Sequence, residues 1–390
     1  MPTKEQVFEA LSAVNDPEIH KPITELDMVR GVEISGDGVV TVFILLTVAG
    51  CPLRDQIESE VAAALRDLPG VTGIKLNLGV MTEEQRGALV SRLRGAGSAQ
   101  GDDAHAGHAH AQGMKPIAFW GPQSRTRVIL VASGKGGVGK SSITANLAVA
   151  LAKKGFNVGL VDADVWGFSQ PRMMGVSGRP TAFNGMMLPL EKHGVKIVSM
   201  GFFMPEDQPV IWRGPMLHRA VNQFLADAYW GDVDFVLIDM PPGTGDVAIS
   251  VASFLPGADM VVVTTPQETA QKVAARAGKM TEQVNLRLLG VIENMSYYEC
   301  AECNEKHRIF GEGGGRHLAQ LLGTEFLGEV PLDQRLREGA DIGVPLVVSD
   351  PASPAAEVLI EIAGKIAKRS PSLVGKRLSL LSAGGGGHKH

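Results

Sequence analysis

Gly134-Lys135-Gly136-Gly137-Val138-Gly139-Lys140-Ser141 is the stretch on which the fold turns. It follows the apolar run Val128–Ala132, which reads as a strand, and leads into Ser141–Lys154, which reads as a helix. Strand, glycine-rich turn and helix together satisfy G-x-x-x-x-G-K-S/T, the phosphate-binding loop, in the context it requires. The glycines let backbone N–H groups converge on phosphate oxygens at a helix N-terminus, where the macrodipole favours negative charge. Lys140 adds a point charge on the β- and γ-phosphates and Ser141 offers a hydroxyl to Mg2+. Gly134, Lys135, Gly136, Gly137, Val138, Gly139, Lys140, Ser141 and Ser142 are therefore the expected nucleotide-binding residues.

Downstream the strand-turn-helix pattern repeats. Val158–Val161, Phe235–Ile238, Met260–Thr264 and Arg287–Ile292 are apolar enough for a mainly parallel sheet covered by helices on both faces. Two of these runs end in carboxylates: Val161-Asp162-Ala163-Asp164, and Asp239 at the head of Asp239-Met240-Pro241-Pro242-Gly243-Thr244-Gly245-Asp246. The carboxyl edge of a parallel sheet is the usual ligand crevice. Asp239 is the aspartate expected beside Mg2+, and Gly243 has a backbone N–H to offer a γ-phosphate. Asp246 belongs either to a nucleotide-responsive loop or to the cap of the next helix.

Before this α/β domain, Lys4–Val14, Arg54–Leu68 and Thr82–Leu93 have helical spacing, while Val29–Ile34, Val39–Leu46 and Val71–Leu78 read as strands. The expected organisation is a small α+β domain over residues 1–94, a flexible Gly/Ala/His linker over 95–113, an ATPase domain over 114–368, and a basic, then glycine-rich tail over 369–390. His105, His108 and His110 in the linker are either metal captors or part of a solvated spacer.

Composition narrows the classes. Lys and Arg number 37 against 42 Asp and Glu, a net charge of −5, so no global basic field marks a nucleic-acid binder. No apolar run approaches a bilayer span and the N-terminus lacks the order of a signal peptide, so neither export nor stable membrane association is expected. Three cysteines, Cys51, Cys300 and Cys303, are too few for a disulfide framework and fit a reducing, cytoplasmic compartment.

Cys300 and Cys303 form a C-x-x-C in a polar stretch. Two thiolates cannot complete the four-ligand sites of zinc or an iron–sulfur cluster. Either the pair is a redox dithiol, or two copies of the chain each contribute a pair across a twofold axis. His307 extends the spacing toward a zinc knuckle that still lacks a ligand.

With its second lysine, Lys135, the loop GKGGVGKS resembles that of the SIMIBI P-loop ATPases, the group of MinD, ParA, nitrogenase iron protein and the Mrp/ApbC-type cluster carriers. The order GKGGVGKS, DADVWGFS, DMPPGTGD, ENMS, CxxC resembles the Mrp/ApbC carriers over residues 116 to about 368; Trp166 and Phe168 stand where members often have Tyr and Pro. This resemblance implies catalytic roles for Lys135, Lys140 and Asp164: Lys135 reaches the partner's nucleotide across a homodimer and Asp164 orients the attacking water. It further implies Mg2+ at Ser141, Asp162 and Asp239, adenine contact by Asn294, and an iron–sulfur cluster, 4Fe–4S, held by Cys300 and Cys303 of two protomers. Asn294 alone also reads as an Asx turn.

Asn15-Asp16-Pro17-Glu18, Leu26-Asp27-Met28-Val29 and Thr47-Val48-Ala49-Gly50-Cys51-Pro52-Leu53 resemble the small domain of iron–sulfur assembly proteins. Cys51 is a transfer thiol there or a buried apolar residue. The function implied is an ATP-hydrolysing carrier of iron–sulfur clusters, serving apo iron–sulfur proteins and scaffold proteins. The competing readings are a MinD/ParA-like positioning ATPase and a zinc-stapled regulatory dimer.

Overall fold

The computed structural model describes residues 1–48, 53–96, 116–117, 119–121, 124–164, 167–203, 214–243, 246–300, 302–303 and 305–369. The chain divides into two compact units.

The first unit opens with α1 (Lys4–Leu11), whose Thr3 and Gln6 form a reciprocal capping box. β1 (Val29–Ile34) and β2 (Val39–Leu46) pair antiparallel; after α2 (Arg54–Arg66), β3 (Gly73–Val80) adds parallel to β2, and α3 (Glu83–Ala96) follows. A parallel pair needs a crossover, and α2 supplies it. Val40, Val42, Ile44 and Leu46 alternate inward on β2, as the two-residue period requires. Ile57, Val61 and Leu65 meet them at helical spacing.

The second unit begins with β4 (Arg127–Ser133), α4 (Lys140–Lys153), β5 (Val158–Asp162) and α5 (Gln170–Met173). The chain then makes a small hairpin, β6 (Ala182–Phe183) with β7 (Met186–Met187), before β8 (Leu190–Lys192), β9 (Val195–Ser199) and α6 (Gly214–Asp227). β10 (Phe235–Asp239), α7 (Asp246–Ser253), β11 (Asp259–Thr264), α8 (Glu268–Gln283) and β12 (Arg287–Asn294) continue the alternation. A second hairpin, β13 (Tyr298–Glu299) with β14 (Lys306–His307), precedes α9 (Gly314–Leu321) and β15 (Glu325–Val330); α10 (Gln334–Ile342), α11 (Leu346–Ser349) and α12 (Pro354–Lys368) close the unit.

The main sheet has eight strands in the order β15-β12-β11-β4-β10-β5-β9-β8, with β8 alone antiparallel to its neighbour. Every residue of β4, β5, β10 and β11 is buried, so both faces are covered. The strands run further than the apolar runs expected from sequence. Asp162 and Asp239 are the last residues of β5 and β10, and they stand opposite each other in register. Asp246 is the first residue of α7 and not the one before it. Among the described residues no helix is long and apolar enough to cross a membrane.

Besides the N-terminal residues expected of it, the first unit takes in Pro180–Pro189 and Asp227–Gly231. Phe183, Met186, Leu188 and Tyr229 join its core, and within it Thr181 Oγ1 donates to Glu18 Oε1 at 2.9 Å and Asn184 Nδ2 to the Glu83 carbonyl at 3.1 Å. Phe183→Ala is expected to destabilise this unit by about 3 kcal/mol, the usual cost of emptying an aromatic site. Urea unfolding followed on the full chain measures it; an unchanged midpoint would remove the β6–β7 hairpin from the core.

Candidate functional site

The loop between β4 and α4 lies at the carboxyl edge of the sheet, and its backbone is shaped by glycine. Gly139 caps α4 with φ +81°, and a Cβ there would stand 2.2 Å from Asn294 Nδ2. At Gly134 a Cβ would stand 2.3 Å from the Ala274 backbone nitrogen. Only hydrogen fits at either position.

Lys140 is buried beside a fully buried Asp239, and its ammonium donates to Asp239 Oδ1. Two more donors reach the same carboxylate: Thr144 Oγ1 at 3.3 Å and Gln170 Nε2 at 2.9 Å. Gln170 Nε2 also donates to the Ser141 carbonyl at 3.0 Å. Asp162, on the neighbouring strand, accepts from the backbone N–H groups of Asp164, Ser169 and Gln170 and from Ser199 Oγ, at 3.1–3.2 Å. Burial, and after it the Asp239 charge, push the Asp162 carboxyl up to about 7. Asp164 holds the Gly167 N–H at 3.2 Å.

This donor set suits Mg2+. Ser141 supplies a hydroxyl, Asp162 and Asp239 supply carboxylates, and all are hard oxygen ligands of the kind that leave part of the coordination shell to water and phosphate. Among the described residues the buried Oε1 of Gln170 has no hydrogen-bond donor, so the site also keeps an unused acceptor.

Other expected residues make hydrogen bonds within the chain. Lys135 Nζ donates to Gln267 Oε1 at 2.8 Å, within its own protomer. The Gly243 N–H, expected at a γ-phosphate, donates to the Ser133 carbonyl at 2.9 Å. Asn294 Nδ2 donates to the Val138 carbonyl at 2.9 Å and so braces the phosphate loop from below. Ser142 Oγ lies 3.9 Å from the Met173 sulfur. Cys51 and the linker histidines fall outside the described residues.

The cysteine pair sits on the turn of the β13–β14 hairpin, closed by the Cys300 N–H on the Glu305 carbonyl at 3.0 Å. Cys303 is exposed and Cys300 half-buried. Hydrogen bonds from the Cys303 N–H, then the Glu302 N–H and the Cys303 thiol, hold the Cys300 thiol below the ordinary thiol range. Among the described residues no group of three or more His, Cys, Asp or Glu side chains is placed to hold a metal, so among them the two sulfurs have no further ligand.

A family model described as NUBPL iron-transfer P-loop NTPase matches residues 124–367. The chain belongs to this family. As a member it is a P-loop NTPase, and a second model, for iron–sulfur cluster assembly proteins, matches residues 4–76. An iron–sulfur cluster carrier protein of Mycobacterium tuberculosis is 47% identical over 378 residues, 95% of each chain. One from Deinococcus radiodurans is 40% identical over 381 residues, 96% of this chain and 99% of that one. A nucleotide-binding protein from Archaeoglobus fulgidus, solved in complex with ADP, is 38% identical with a TM-score of 0.50, covering 56% of this chain and 86% of that one.

Sequence reasoning missed Thr144, Gln170, Ser199, Gln267 and Glu293. The last is wholly buried at the end of β12, where it accepts from Ser296 Oγ at 2.6 Å and from the Gly315 N–H that opens α9. Its only signal in the sequence is a charged residue closing an apolar run. Gly139→Ala imposes a left-handed backbone on a side chain and drives its Cβ into Asn294, so affinity for ADP should fall at least about tenfold. Titration with a fluorescent ADP analogue measures this, and retained affinity would show that the loop tolerates a different backbone.

Proposed function

We propose that this protein is an ATP-hydrolysing iron–sulfur cluster carrier that works as a homodimer, each protomer giving Cys300 and Cys303 to one shared 4Fe–4S cluster, which is passed on to apo-proteins. The observation that carries the reading is a cysteine pair, Cys303 exposed and Cys300 half-buried with its thiol pKa lowered by neighbouring hydrogen bonds, on a hairpin that begins four residues after Asn294. Two thiolates per chain meet the four-ligand demand of the cluster only when two chains meet. Relatives named as iron–sulfur cluster carriers, matching over nearly the whole chain, support the same reading.

Each residue of the site has a task in it. Lys140 and the loop N–H groups bind the phosphates, Asp164 orients the attacking water, and Lys135 leaves Gln267 to reach the partner's nucleotide. Ser141, Asp162 and Asp239 hold Mg2+, whose charge offsets that developing on the phosphate oxygens. Asn294 contacts the loop on one side, and Glu293 beside it grips the start of α9 just past the cysteine hairpin. A change in loop backbone therefore has a covalent and hydrogen-bonded route to the hairpin, which supports nucleotide-controlled cluster release.

Lys140→Ala removes a contact present from ground to transition state, and turnover should fall at least about a hundredfold with loss of nucleotide binding. Lys135→Ala should lose turnover while each protomer still binds nucleotide; undiminished hydrolysis would sink the trans role.

Anaerobic reconstitution should yield one cluster per two protomers by iron and sulfide analysis. Cys300→Ala or Cys303→Ala should lose the bound iron and keep ATP binding, whereas Cys51→Ala should keep both. Iron retained in Cys300→Ala, or zinc in place of iron in protein purified anaerobically, would overturn the shared-cluster reading.

A further inference from the structure

Gln170 is fully buried as the first residue of α5, and its backbone and side chain together reach three parts of the nucleotide site. Its backbone N–H donates to Asp162 Oδ2 at 3.2 Å, while Nε2 donates to Asp239 Oδ2 at 2.9 Å and to the Ser141 carbonyl at 3.0 Å. The orientation of the amide is not ambiguous. Both partners of Nε2 are pure acceptors, and exchanging nitrogen for oxygen would set an acceptor against two others.

With Nε2 so fixed, Oε1 has one position available, and there it is buried without a donor among the described residues. Ser169 Oγ, one residue earlier, is likewise buried and without a partner among the described residues, while the Ser169 N–H holds Asp162. Buried acceptors in folded proteins are almost always satisfied, by protein or by ordered water. Two adjacent unsatisfied oxygens, on the residues that tie Asp162 to Asp239, point to donors that arrive with the ligand. A hydrated divalent cation brings them, because Mg2+ surrenders its waters reluctantly and each retained water has protons to donate.

We infer that Gln170 is a positioning residue of the nucleotide site: Nε2 locks Asp239 to the phosphate loop, and Oε1 accepts from a water held by the Mg2+ at Ser141, Asp162 and Asp239. The inference rests on the NTPase reading above and adds to it a residue that no phosphate-loop motif contains. A residue that only fills space between α5 and the sheet would lack this link to the cation.

The two roles separate in the Mg2+ dependence of nucleotide affinity. The full-length protein is titrated with a fluorescent ADP analogue, once in excess Mg2+ and once in EDTA, and the ratio of the two affinities is read. In Gln170→Met both hydrogen-bonding ends are lost at similar volume, and the ratio should fall about tenfold, with the loss confined to the Mg2+ arm. In Gln170→Glu the Oε1 position keeps an acceptor, now charged, while a carboxylate faces Asp239. Binding in EDTA should weaken and the ratio should rise.

Opposite movements of the ratio are the expected result. An unchanged ratio in both variants, or an equal fall in both, would overturn the inference; should Gln170→Met fail to fold, a ratio in Gln170→Glu that stays level or falls overturns it alone. Failure of the wild-type protein to bind the ADP analogue in either arm would strike the nucleotide reading itself.

Discussion

An ammonium and a carboxylate buried against each other, Lys140 and Asp239, are the constraint around which the second unit is arranged. Neither charge is tolerable in the interior alone; removing one partner of such a pair typically costs about 3–5 kcal/mol. The pair forces the phosphate loop down onto the end of β10, and Thr144 and Gln170 bring α4 and α5 to the same carboxylate. Asp162 stands in register one strand away, with its carboxyl pushed up by burial and by the Asp239 charge. Two crowded carboxylates with one lysine on Asp239 make a densely charged site, whose negative charge a bound cation would offset.

A second junction lies at the end of β12. Successive strand residues point to opposite faces, so Glu293 and Asn294 turn to different neighbours. Asn294 braces the Val138 carbonyl in the phosphate loop, and Glu293 takes the Gly315 N–H at the start of α9. Met295 then turns the chain with a left-handed backbone, φ +56°, and Ser296 and Tyr297 tie it to the segment after β15 through the Val330 carbonyl and the Leu332 N–H. The cysteine hairpin leaves from this anchored turn. Its base is joined to the phosphate loop through the Asn294 contact with the Val138 carbonyl.

Much of the central sheet was legible because its strands are buried on both faces and therefore continuously apolar, as in β4, β10 and β11. The outer strands β9 and β15 were not, since Val195–Ser199 and Glu325–Val330 mix lysine, glutamate and glycine into short runs that match no single period. The phosphate loop was readable residue by residue because its chemistry is local: consecutive backbone groups meet one ligand. Gln170 was not, because a glutamine after a serine carries no signal until the fold brings Ser141 and Asp239 to it.

The sequence alone determined the strand-loop-helix that binds phosphate, the carboxylates at the strand ends and the spacing of the cysteine pair, all of which are set by residues adjacent in the chain. Tertiary structure decided which of those residues meet. It set Asp239 on Lys140, turned Asn294 to the Val138 carbonyl, occupied the Gly243 N–H with the Ser133 carbonyl, and gave the β6–β7 hairpin to the core of the first unit. These pairings join residues from about a hundred to more than a hundred and fifty positions apart. Such contacts exist only once the sheet order is fixed, and that order follows from the packing of whole helices and strands and not from any short stretch of sequence.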